Sequence, residues 1–113
     1  MADSDLLPIN FSLSDRAKTK IEAMRKEFDE HFSPDTAVAV MVGWGLFHLN
    51  SGEKSEDVVI GFYPRSQRDE IAHGMQVVSG MKVVFFTIPK YHARFEGKVI
   101  DYAPEQGFFL REP

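Results

Sequence analysis

Cysteine does not occur anywhere in the 113 residues. Its absence removes disulfides, thiolate nucleophiles, zinc ribbons and cysteine-held iron–sulfur clusters in one step. Long apolar runs are missing as well: none approaches the ~20 residues that a helical membrane span needs. The opening Met1-Ala2-Asp3-Ser4-Asp5 lacks the basic and apolar regions of a secretory signal. A soluble, cytoplasmic protein is the expectation. Positive charge is not in excess either, because 13 Lys and Arg stand against 17 Asp and Glu, and no Lys/Arg block occurs that could neutralise a phosphate backbone. No nucleic-acid partner and no membrane partner are therefore expected.

What is present is enough for one domain spanning residues 1–113, large enough to bury a core without covalent staples. Met1 to Pro8 is polar and carries a helix-stopping proline, so it reads as a frayed tail before a short extended piece, Ile9 to Leu13. Ser14 and Asp15 then supply a capping oxygen and a negative charge at a helix start. Ala17, Ile21, Met24 and Phe28 form one apolar stripe, opposite Arg16, Lys20, Glu22, Arg25 and Lys26. The helix is expected to end near His31, ahead of Pro34.

Ala37 to Val42 is a continuous apolar run with β-branched residues, which predicts a strand buried on both faces. Gly43-Trp44-Gly45 is read as a turn or bulge, followed by strands at Phe47–Asn50 and Val58–Tyr63 around a polar loop. Pro64 to Gly74 is charged and weakly patterned, a surface loop with a helical turn near Asp69 to His73. A hairpin follows, with Ser79-Gly80 as its turn. Pro89 opens a short helix, Lys90 to Phe95, that stops at Gly97, and strands close the chain at Val99–Tyr102 and Phe108–Arg111. The fold class is thus mainly β (α+β), with one N-terminal amphipathic helix and short strands in two sheets or a partly closed barrel. Ten phenylalanines supply much of its core.

Few motifs carry chemistry. Gly43-x-Gly45 lacks a third glycine and a following helix, so it does not form a dinucleotide cradle. Glu70 and His73 share a face if helical, the local spacing of carboxylate-bridged metal sites, yet those sites need a second such pair. No Gly-x-Ser-x-Gly elbow occurs, and Ser79 lies in a predicted turn without a positioned base, so an enzyme is unsupported. Trp44, the single tryptophan, reads as a lid over the core before it reads as an interface anchor.

Taken together, Phe11-Ser12-Leu13-Ser14-Asp15-Arg16-Ala17 with Ile21, the Gly-rich segment Gly43-Trp44-Gly45-Leu46-Phe47, Gly80 to Val84, Pro89, Phe95 to Tyr102 and Gly107 to Pro113 follow one order and spacing. In this the chain resembles the HesB/IscA-like family of A-type iron–sulfur carriers, and among them a cysteine-less branch. The resemblance implies a compact sandwich or pseudo-barrel of short mixed strands with the helix packed outside. Family carriers hold iron or a cluster with a cysteine in the Gly-rich turn and a Cys-Gly-Cys near the end; here Leu46 stands nearest the first position and no cysteine replaces the others. Leucine has no lone pair to offer a metal. The reading that follows is a non-enzymatic binding or interaction module without cofactor, with a protein partner or a second copy meeting a surface of Trp44, Leu46, Phe47 and Tyr91. The alternative is a protein related to iron–sulfur cluster assembly that binds iron or another transition metal through histidine and carboxylate, with His48 and His92 as the candidate ligands. Anaerobic reconstitution with iron and sulfide is expected to leave the purified protein colourless; a stable visible absorption band would overturn the ligand argument.

Overall fold

Ser14 serves two partners with one hydroxyl. Its Oγ accepts from Ala17 N at 3.1 Å, capping a helix, and donates to the Asp101 carboxylate at 2.7 Å. In the computed structural model, which describes residues 7–48 and 50–113 and leaves the side chains of 46–48 and 54–55 outside that description, the helix is α1, Asp15–Phe32. Ahead of it lies β1, Ser12–Leu13. Ala17 and Ile21 are fully buried, whereas Met24 and Phe28 further along the stripe are only half-buried, because the helix runs off the edge of the core. Residues 1–6 of the stretch read as a tail lie outside the described residues. Leu7 and Pro8 are hydrogen-bonded: Leu7 N donates to Phe85 O, and the Gln76 side-chain amide bridges Leu7 O and Ile9 N.

The remaining elements are β2 (Ala37–His48), β3 (Lys54–Pro64), α2 (Arg68–Ile71, between two single 3₁₀ turns), β4 (Met75–Val78), β5 (Met81–Phe85), α3 (Pro89–Phe95), β6 (Val99–Ala103) and β7 (Gly107–Arg111). They form an α+β fold with two mixed sheets, one of order β1-β6-β7 and one of order β3-β2-β5-β4. The two parallel neighbours β2 and β5 are central and buried on both faces, as the apolar run Ala37 to Val42 predicts. Val40, Val42, Val83 and Phe85 face a core shared with Ile21, Phe95 and Ile100. Ala39 and Val84 face a smaller cluster closed by Ile71 of α2.

The β2–β3 pair departs from expectation, as does the segment that follows it. Gly43-Trp44-Gly45 is neither a turn nor a bulge, and no separate strand starts at Phe47: β2 runs unbroken for 12 residues and pairs with β3 through to His48 opposite Lys54. The irregularity in this pair falls earlier, between Ala37 and Ala39. Gly43 serves close approach instead. Phe86 N donates to Val42 O at 2.9 Å, and a Cβ on Gly43 would lie 3.0 Å from Phe86 O. Glycine in a strand permits that backbone crossing, and the same residue type in isolation reads as a break. By contrast, Ser79 (φ 51°) and Gly80 (φ 83°) do form the two-residue hairpin turn, with both residues left-handed as a type I′ turn requires. The Pro64–Gly74 segment is more helical than a loop, being two 3₁₀ turns flanking α2, because Ile71 must reach the core.

Asp101 is the charged exception in the interior. Its side chain is 2% exposed and accepts from Ser14 Oγ, from Arg16 Nη2 at 2.6 Å, from Arg111 Nε at 2.7 Å and from Tyr102 N at 2.7 Å. These donors, Arg16 foremost, hold the carboxyl far below the usual carboxylate range despite burial. A depressed folded pKa contributes stability that is fully present above the unfolded value of about 3.9 and is lost as pH falls toward the folded one. Asp101→Asn is therefore expected to be less stable than wild type at neutral pH and to lose less on acidification from pH 5 to 2. Urea denaturation across that range measures it, and parallel curves would show that Asp101 is not the linked group.

Candidate aromatic binding site

The alternation of β2 that buries Val40 and Val42 carries Trp44 onto the same face, at the edge of the core. There it meets α3, which starts with Pro89 in its first turn and buries Phe95. Trp44 lies edge-on to Phe95, with centroids 5.7 Å apart, and stacks on Tyr91 at 6.2 Å and 29°. Tyr91 and Phe95 are four residues apart, so one helix face supplies both rings. Arg94, on the next row of that face, places its guanidinium carbon 5.4 Å from the Trp44 ring centre and 5.5 Å from that of Tyr91. Glu56 of β3 steadies the cation, accepting from Arg94 Nη1 at 2.9 Å. The β2–β3 hairpin and α3 are thus joined through one layered contact of ring, ring and guanidinium.

Beside this layer is a recess of about 170 Å³ lined by Trp44, Phe86, Thr87, Ile88 and Tyr91. Phe86 and Ile88 are 37% and 45% exposed, large apolar side chains presented to solvent at the mouth. Trp44 Nε1 is buried and has no acceptor among the described residues.

Trp44 and Tyr91, expected from sequence to share a surface, are brought into contact. Leu46 and Phe47 continue β2 opposite Glu56 and Ser55, with side chains outside the description. Leu46 is therefore in a strand, where the resemblance places a ligand-bearing turn. His48 closes the same strand, and its side chain is likewise outside the description. His92 is held in place by its neighbours: its Nε2 is 2.8 Å from Pro8 O, and its ring lies 5.5 Å from Phe85. A carbonyl only accepts, so Nε2 carries the hydrogen and Nδ1 alone keeps a lone pair. His92 thereby ties the N-terminal segment to α3, assisted by Asn10, whose Nδ2 donates to His92 O and to Glu96. Glu70 belongs to α2 and His73 to the turn after it, and among the described residues no group of three or more His, Asp or Glu is placed to hold a metal ion. Iron–sulfur chemistry of the kind the resemblance implies has no fitting donor set here, since the chain has no thiolate.

Sequence reading did not find Arg94, Phe86 or Ile88. For Arg94 a signal existed, its spacing of three from Tyr91 on a predicted helix. For Phe86 and Ile88 none did, because a run that feeds a buried strand does not reveal where it emerges. No protein-family model matches the chain, and no curated protein matches it. No helix among the described residues is long and apolar enough to cross a membrane.

Because the chain has a single tryptophan, its fluorescence reports this site alone. Tyr91→Ala uncovers the stacked face of the indole and is expected to shift emission to the red. It should also cost about 0.5–1.5 kcal/mol beyond the area lost. An unchanged spectrum would show that Tyr91 does not cover the ring.

Proposed function

We propose that this chain is a HesB/IscA-like binding module without a cluster, and that its Trp44–Tyr91 face takes a short protein segment presenting an apolar side chain. The observation that carries this reading is the apolar recess itself, where the Trp44 and Tyr91 rings meet exposed Phe86 and Ile88. An apolar side chain entering the recess would cover Phe86 and Ile88 and remove their surface from water. The recess, about 170 Å³, matches one inserted side chain better than a flat subunit contact. A stable homodimer needs roughly 800 Å² from each copy, and among the described residues the large apolar side chains exposed at this face are Phe86 and Ile88. A segment therefore fits better than a second copy.

A metal reading would rest on His48 and His92, and at His92 it would have to use Nδ1 or displace Pro8 O from Nε2. One spectrum separates the readings. The sole indole N–H gives a single amide-correlation peak, and N-acetyl-leucinamide is expected to move it in a saturable way. Ile88→Ser is expected to weaken that response, and zinc to leave the peak in place. A zinc-induced shift abolished by His48→Ala or His92→Ala, without a response to the amide, would replace the proposal with the metal reading.

A further inference from the structure

A second concavity, of about 450 Å³, opens where α1 crosses the starts of β2 and β5, and it shares no lining residue with the aromatic recess. Its charged lining is Arg25, Arg65, Arg68 and Lys82 against a single carboxylate, Glu22. Four cations to one anion is the reverse of the chain's overall balance, a net charge of −4. The four come from α1, the 3₁₀ turn after β3, α2 and β5, so the fold gathers charges that the sequence disperses.

The cations are held in different ways. Arg25 is anchored, with Nη2 donating to Ala37 O at 3.0 Å and Nε 3.9 Å from Asp29. Arg65 is placed by its backbone N–H, which donates to Thr36 O at 2.8 Å. Asp35, the nearby carboxylate that feels Arg65, is engaged elsewhere, with both oxygens accepting from Ser66 at 2.6 and 2.8 Å. Arg68 and Lys82 make no ion pair and no side-chain hydrogen bond among the described residues, and both are solvent-exposed at the rim. Like charges gathered in a concavity repel one another, and a bound anion relieves that repulsion.

We infer that this cavity binds a small phosphate-bearing molecule. Guanidinium forks match phosphate oxygens two at a time, and a lysine adds a point charge. Arg68 and Lys82, without an ion pair among the described residues, together suit a ligand with more than one negative charge. A volume of about 450 Å³ exceeds what one phosphate fills and lies within the range of small-molecule sites. Buried Val40 and Met81 among the lining residues suit an organic body attached to the phosphate. A long polyanion fits poorly, since the chain as a whole is acidic and repels it outside this cavity.

Pyrophosphate is the probe, titrated into the full chain by calorimetry at constant ionic strength, with sulfate and a short single-stranded oligonucleotide in parallel. Saturable binding of pyrophosphate is expected, tighter than that of sulfate. Arg68→Ala and Lys82→Ala are each expected to weaken it about tenfold, as loss of one charge-assisted contact does. Both residues are exposed, so the variants should fold normally, which circular dichroism verifies. Binding unchanged in the Arg68→Ala/Lys82→Ala double variant would overturn the assignment. So would equal binding of sulfate, or an oligonucleotide that binds more tightly than pyrophosphate.

Discussion

A single buried carboxylate joins three elements of this molecule. Asp101 sits in β6, yet its oxygens take the capping hydroxyl of α1, the guanidinium of Arg16 in the first turn of that helix, and that of Arg111 in β7. An ion at 2% exposure is tolerable only because every side of it is met by a donor, two of them charged. The guanidiniums remain 64% and 43% exposed, so the arrangement desolvates one charge and leaves the two opposing ones half in water. The start of α1 is thereby set against the three-stranded sheet, and Ser14 N donating to Ile100 O completes the join. With the helix so anchored, Ala17 and Ile21 meet Ile100 and Phe85 in one core.

The second constraint is the close backbone crossing at Gly43. Because β2 continues straight past it, Trp44 keeps the inward alternation and reaches α3 rather than swinging out on a turn. Phe95 then becomes the shared floor, packed against Phe11, Phe85 and Trp44 at centroid distances of 5.5, 4.7 and 5.7 Å. Aromatic abundance is here a packing device over most of the core. At its edge Phe86 comes to the surface beside Ile88, before α3 begins.

The two concavities differ in kind. One is small and apolar; the other is larger, with four cations gathered from four segments. The first offers apolar surface and the second offers charge. Their linings do not overlap, so a ligand at one does not occupy the other.

The sequence by itself determined what local periodicity and backbone chemistry can determine. The apolar stripe through Ala17 and Ile21 specified α1, the β-branched run specified the buried strand, Ser79-Gly80 specified the hairpin turn, and Pro89 with Gly97 bracketed α3. Trp44 and Tyr91 were paired through the family resemblance and not through local pattern, since Trp44 reads as part of a turn and lies in the 12-residue β2. Tertiary structure decided the rest. Gly43 marks a break or a close approach depending on what lies beside it, and Phe86 lies 43 residues further along the chain. Asp101 looks like an isolated charge in an apolar strand until Ser14, Arg16 and Arg111 surround it. Arg25, Arg65, Arg68 and Lys82 read as solvated charges because nothing local marks them as neighbours. Coulombic attraction and steric fit depend on distance in space, and sequence spacing carries that distance only within a helix turn or along a strand.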